Sequence, residues 1–181
     1  MDNLYRLMLI KGRIETMCRF VDSLEVRTDQ RAGIEAAVRV AYQWAEAHPV
    51  MSVQGMMKVY QAFWQTPTVY WRTSRVLITP PTPQHAVLHL PAQVDFGAVL
   101  NWCTLWSQAE PNWTSAAQVL YDYWKIHPMD DGNKRCGMIF TAGFCRKAGL
   151  AAPYAPPEAV LAIKVALFDH DLPALAALLK G

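Results

Sequence analysis

Charge is scarce in this chain. Only 18% of its residues are Asp, Glu, Lys or Arg, and 17 basic against 15 acidic side chains leave a formal net charge of +2. So even a balance lacks the basic stripe that a nucleic-acid surface needs, and that class of partner is not expected. Cysteine is scarce too. Cys18, Cys103, Cys136 and Cys145 stand apart, without a CxxC pair or a close His partner, so neither a metal cluster nor a disulfide framework is expected. Each falls at an apolar helical position and reads as a buried thiol. No apolar run approaches the length that spans a bilayer, and the chain opens without a basic-apolar-cleavable leader. The expectation is therefore no membrane partner and a reducing cytoplasm. Internal repeats, heptads and low-complexity tracts are also missing, so residues 1–181 read as one domain.

Apolar and aromatic residues are plentiful. The chain is 52% hydrophobic and carries seven Trp and twelve Pro, which predicts aromatic packing and stiff connections. Helical periodicity runs through most of it. Asn3 to Ser23 reads as a first helix. A second is capped by Thr28 or Asp29, buries Ile34, Ala37, Val38 and Ala41, and ends at His48-Pro49. Ser52 caps a third, which Thr66-Pro67 stops. Asp95 opens a fourth through Trp106, and Thr114 or Ser115 caps a fifth with Leu120, Tyr121 and Trp124 inside. After the stiff crossing Ala151–Pro157, Pro157 starts a helix to Phe168, and Asp171 or Leu172 opens a last one to Leu179.

One stretch breaks the pattern. Val76-Leu77-Ile78 and Ala86-Val87-Leu88-His89-Leu90 are short β-prone runs around Thr79-Pro80-Pro81-Thr82-Pro83-Gln84. They form a hairpin with a stiff tip, or two edge segments. Either form leaves backbone groups able to pair with an extended peptide. His85 and His89 are read as strand residues, incidental rather than metal ligands.

Chemistry concentrates in Ile126–Cys145, IHPMDDGNKRCGMIFTAGFC. Cys136, Ile139, Phe140, Gly143 and Phe144 recur at three and four, so one helical face points inward. Arg146 and Lys147 suit the last turn, and Gly149 suits the left-handed position beyond it. The start falls near Asp130 or Asp131, either of which can cap. The opening turn, Gly132, Asn133, Lys134, Arg135, then presents amides and cations that make an anion nest. His127 precedes the helix and can take a proton from a hydroxyl, and Asp131 is a hard oxygen ligand suited to Mg²⁺ shared with phosphates. Singly, the carboxylates can be plain caps and the cations a solvated face. Together they point to transfer of a phosphorus group to a hydroxyl.

His127-Pro128-Met129-Asp130-Asp131-Gly132-Asn133-Lys134-Arg135 resembles the signature of the Fic/Doc (Fido) family, His-Pro-Phe-x-Asp/Glu-Gly-Asn-Gly/Lys-Arg. Trp71-Arg72-Thr73-x-x-Val76 with Pro80-Pro81 resembles the family's strand and flap, and Ser115–Ile126 its lead-in helix. The resemblance covers about residues 50–150. It implies an all-α bundle with a β-hairpin flap beside the active site, flanked by N- and C-terminal packing helices. It implies a transferase using ATP and Mg²⁺, with His127 as base, Asp131 on the metal, Gly132, Asn133, Lys134 and Arg135 on the phosphates, and Asn133 and Arg135 among the catalytic residues. Val76, Leu77, Ile78, Val87 and Leu88 would clamp the target protein.

The departures bear on the reaction. Met129 stands where the family has Phe, Lys134 where the AMP-transferring subset has a second Gly, and Met138 where that subset has a second Arg. AMP transfer to a Ser, Thr or Tyr hydroxyl is the first reading. Doc-like transfer of the γ-phosphate is the second, and a binding protein whose chemistry has lapsed is the third. The Ser/Thr-x-x-x-Glu-Gly/Asn inhibitory pattern of the family does not occur, so a separate antitoxin-like inhibitor or constitutive activity is expected. Some family members reach other cells by a signal-less route, so a secreted effector remains open.

Overall fold

The computed structural model describes residues 31–154 and 157–181. The first helix expected at Asn3–Ser23 and the caps at Thr28 or Asp29 lie outside the described residues. Those described form seven α-helices: α1 Arg31–Ala47, α2 Val53–Trp64, α3 Phe96–Gln108, α4 Trp113–Ile126, α5 Asn133–Lys147, α6 Val160–Asp169 and α7 Leu172–Lys180. Strands β1 Val76–Ile78 and β2 Leu88–Leu90 pair antiparallel between α2 and α3, in the register Val76↔Leu90, Leu77↔His89, Ile78↔Leu88. The architecture is thus an all-α bundle carrying one short hairpin, as the sequence led us to expect.

The bundle is arranged around α5. Every residue from Cys136 to Cys145 is buried, because α1 packs along one side and α4 along another. The expected single inward face is therefore too modest, since a helix apolar all round belongs in the middle of a bundle. The tryptophans explain part of this packing. Trp106 donates its indole N–H to the Phe140 carbonyl at 3.0 Å and Trp102 donates to the Val119 carbonyl at 2.9 Å, so their large rings are buried without stranding a polar atom. Where α1 crosses α2, Gly33 is the only size that fits. A Cβ there would stand 2.0 Å from the Phe63 carbonyl oxygen.

Local caps mostly follow the sequence. Ser52, Asp95 and Asp171 each accept an amide at the start of their helices. α4 is capped instead by Asn112, which accepts from Ser115 N–H at 2.8 Å, displacing the expected Thr114 or Ser115. α2 stops at Trp64 through a left-handed Gln65, two residues ahead of Pro67. Pro157 opens a single 3-10 turn, Pro157–Ala159, that leads into α6. Cys103, Cys136 and Cys145 are buried free thiols, and burial pushes the Cys103 thiol up to about 11.

Candidate active site

His127 sits at the C-cap of α4 with φ 49° and ψ 59°. A left-handed residue with a side chain costs about 1–2 kcal/mol, so the surroundings must hold it there. They do so through its backbone. Its N–H donates to the Tyr123 carbonyl at 3.0 Å. Its own carbonyl accepts from Arg72 Nε at 2.8 Å, and the same guanidinium reaches the carbonyls of Ser74, Pro91 and Ile126. Arg72 is 3% exposed. Burial lowers its guanidinium from the ordinary value, and the Asp130 charge works against that shift. The Arg72 amide also donates to the Pro128 carbonyl at 3.0 Å, and Trp71 bridges Met129 as an antiparallel pair. The turn bearing His127 is thus sewn to a segment 55 residues away.

The imidazole has one fixed end. Nδ1 lies 3.3 Å from the Trp124 carbonyl. A carbonyl only accepts, so Nδ1 carries the proton and Nε2 carries the lone pair. Burial lowers the His127 pKa, with the charges of Arg72 and Lys134 adding to it, while the Trp124 bond and Asp131 oppose it. The neutral ring is the form present at neutral pH.

The motif helix begins one residue later than the sequence reading placed it. Gly132 is its N-cap with φ 79°, and Asn133 is its first helical residue. Neither Asp130 nor Asp131 caps. Asp131 accepts the adjacent Gly132 N–H at 2.5 Å and Asp130 accepts Thr73 N–H at 3.3 Å. Gly132 is required twice over, by its left-handed backbone and because a Cβ would stand 3.0 Å from Phe63 Cε1. The first intrahelical bond is Cys136 N–H to the Gly132 carbonyl. Earlier amides of the turn therefore have no intrahelical acceptor, the arrangement that favours an anion.

The Asn133 side chain does not face the helix mouth. It is 2% exposed and is spent on the loop. Oδ1 accepts from Met129 N–H at 3.0 Å and from the Tyr60 hydroxyl at 3.1 Å, and Nδ2 donates to the Met129 carbonyl at 2.7 Å. What Asn133 offers a ligand is its backbone amide. Met129 itself is 1% exposed and fills the core slot beneath the loop.

Arg135 Nη2 lies 3.2 Å from Asp131 Oδ1. Its guanidinium stands over the rings of Phe63 and Trp64, at 5.1 and 6.0 Å. An ion pair with one member 68% exposed is worth little and is readily exchanged for a better anion. Among the described residues no group of three His, Cys, Asp or Glu could hold a metal ion. One exposed carboxylate beside a helix N-terminus suits a Mg²⁺ ion that takes its remaining ligands from phosphates and water, not an all-protein cage.

A cavity of about 230 Å³ opens beside the first turn of α5. Ile78, Pro80 and Pro81 of the hairpin roof it, Asn133, Lys134 and Met138 of α5 form its floor, and α4 and α6 close the sides. The hairpin is tied down at its tip, where His85 meets Thr82 Oγ1 at 2.7 Å and Asp169 Oδ1 at 3.0 Å. His85 lies in the tip, outside the strand expected for it, and it has a structural task. Of the expected clamp residues, Leu77 and Val87 are 62% and 44% exposed, Val76 and Leu88 are half-buried, and Ile78 turns inward at 6%. Sequence reasoning did not single out Tyr60, Phe63 or Trp64 for this site. It knew Arg72 only through the resemblance, and not as the anchor of the His127 turn. The one available signal was an arginine directly after the aromatic pair Tyr70-Trp71, ahead of the first β-prone run.

Solved structures share this fold. Two structures of Fic-1 (aa134–508) from C. elegans, one of them a point variant, superpose with TM-scores of 0.75 and 0.74 at 13% and 14% identity. Each is matched over 99% of this chain and 62% of its own. A Fic domain containing signaling protein from Bacteroides thetaiotaomicron matches with a TM-score of 0.59 at 12% identity, over 83% of this chain and 69% of its own. The chain thus spans under two thirds of the Fic-1 structures. No curated protein matches it by sequence. The sequence model of the Fic/DOC family matches residues 54–145, which contain the hairpin, the His127 turn and α5 as far as Cys145. The chain belongs to the Fic/DOC family, whose general activity is group transfer, typically AMPylation.

Proposed function

We propose that the protein transfers AMP from ATP to a Ser, Thr or Tyr hydroxyl of a target protein. One observation carries the reading: a neutral imidazole with Nδ1 anchored on the Trp124 carbonyl, held at the mouth of a helix whose opening amides await an anion. In the transfer, the target hydroxyl oxygen bonds to the α-phosphorus as the bond to the bridging oxygen breaks. His127 Nε2 takes the hydroxyl proton, and pyrophosphate leaves. The phosphates lie against the Asn133 amide, and against the Gly132 amide once Asp131 Oδ1 gives it up to the metal, with Lys134 and Arg135 beside them. Asp131 would hold Mg²⁺, which supplies charge neutralisation on the phosphates when bound. The target backbone lies along the hairpin, at Val76, Leu77, Ile78, Val87 and Leu88.

Phosphate transfer is the second reading, and Met138 favours it. At 3% exposure and on the floor of the cavity, it brings no charge where the AMP-transferring pattern has an arginine. The same base would then direct the hydroxyl to the γ-phosphorus, with ADP leaving. Incubation with ATP, Mg²⁺ and target proteins, followed by intact mass, separates the two. A gain of about 329 Da marks AMP and about 80 Da marks phosphate. His127→Ala abolishes either product. A wild-type protein that modifies no target while still binding ATP would favour the lapsed binding protein.

The pH profile gives a second check. Because the His127 pKa is lowered, the base form persists as pH falls through neutrality. The acid limb of kcat/KM then lies below the ordinary imidazole value of about 6.5. An acid limb centred above about pH 7 contradicts His127 as the base. Regulation would come from a separate antitoxin-like protein, or activity would be constitutive; among the described residues the carboxylate on Arg135 is Asp131 of its own motif.

A further inference from the structure

We infer that Lys164 is a phosphate-binding residue of the cavity beside α5, supplied from outside the sequence motif. The inference rests on the nucleotide reading above and deepens it. Lys164 lies on α6, which forms the wall facing the hairpin and α5. Two cations line this cavity, Lys134 from the motif helix and Lys164 from α6, and none of the lining residues is acidic. Apart from Thr79 and Asn133 the rest of the wall is apolar, with Leu120, Trp124, Met138, Leu167 and Phe168 among its residues.

Lys164 is half-buried there, and among the described residues it has no hydrogen-bond or ion-pair partner. A flexible ammonium on a half-buried stem, beside an apolar cavity with no acidic lining residue, is a favourable partner for an anion entering the same space. The first turn of α5 borders that space through Asn133 and Lys134. A polyanion with an organic body fits on both counts, and the phosphate chain of a nucleotide is such a group. Lys164 thereby provides the charge that Met138 does not. The two positions share the cavity but lie on different helices, so the local motif carries no trace of the exchange.

The test measures binding of ATP, ADP, AMP and inorganic tripolyphosphate to the full chain by calorimetry, for wild type, Lys164→Met and Lys164→Arg. Thermal melts establish that each variant folds, and Lys164→Met removes the charge without leaving a hole. The expected result is a loss of about tenfold or more in ATP affinity for Lys164→Met, with near-wild-type binding by Lys164→Arg. The loss should shrink along the series from ATP to AMP. If wild type binds ATP and Lys164→Met binds it equally well, the inference is overturned and the nucleotide reading stands. If wild type binds tripolyphosphate but not ATP, and Lys164→Met loses it, the anion site stands and the nucleotide reading falls. If wild type binds neither, both fall.

Discussion

The two ends of the hairpin segment are fastened in opposite ways. At the base, Arg72 is buried and its guanidinium meets four carbonyls. At the tip, His85 Nε2 meets an Asp169 side chain that is 54% exposed. The number of contacts is not the difference that matters. A donor fork withdrawn from water leaves several acceptors stranded if it is lost, whereas water replaces a surface pair at once. The base is therefore built to hold the His127 turn in one place, and the tip to release the roof of the cavity at small cost.

The largest effect is expected at the base. Arg72→Ala strands the carbonyls around the His127 turn and should cost about 3 kcal/mol of stability, read as a shift of the denaturation midpoint. Transfer activity should fall further than folding alone explains. Stability and activity close to wild type would show that the turn holds itself. An intermediate effect tests the helix mouth between the two ends. Gly132→Ala forces a side chain into a left-handed conformation at φ 79° and against Phe63, at about 1–2 kcal/mol. A thermal melt reads the cost, and a variant as stable as wild type would contradict the backbone described. The smallest effect belongs to the tip. His85→Ala should change stability by less than about 1 kcal/mol, while proteolysis within residues 79–87 becomes faster. A loss as large as that of Arg72→Ala would erase the contrast between the ends.

Legibility in the sequence followed the range of the interactions. Ser52, Asp95 and Asp171 cap their helices as expected, because an N-cap is decided within three residues. The hairpin and the left-handed Gly149 (φ 71°) were likewise local. The cap at Asn112 was missed because Asn112, Thr114 and Ser115 all suit the role and only the helix start decides among them. For Asn133 the sequence reveals a place in the opening turn, not the task of its side chain. That its carboxamide grips Met129, four residues back, and Tyr60 depends in part on a helix 73 residues away. Arg72 is the same case at 55 residues. The motif carries the family resemblance, while the groups that hold its turn come from elsewhere in the fold.

The position of the Arg72 acceptors has a mechanical consequence. Ser74 stands just before β1 and Pro91 just after β2, while Ile126 and His127 close α4. Both legs of the hairpin and the turn bearing His127 therefore share a single rivet. Under the proposed function, a polypeptide leaning on the exposed strand edge would push on that rivet as well, so seating of the substrate and alignment of the imidazole would be geared together.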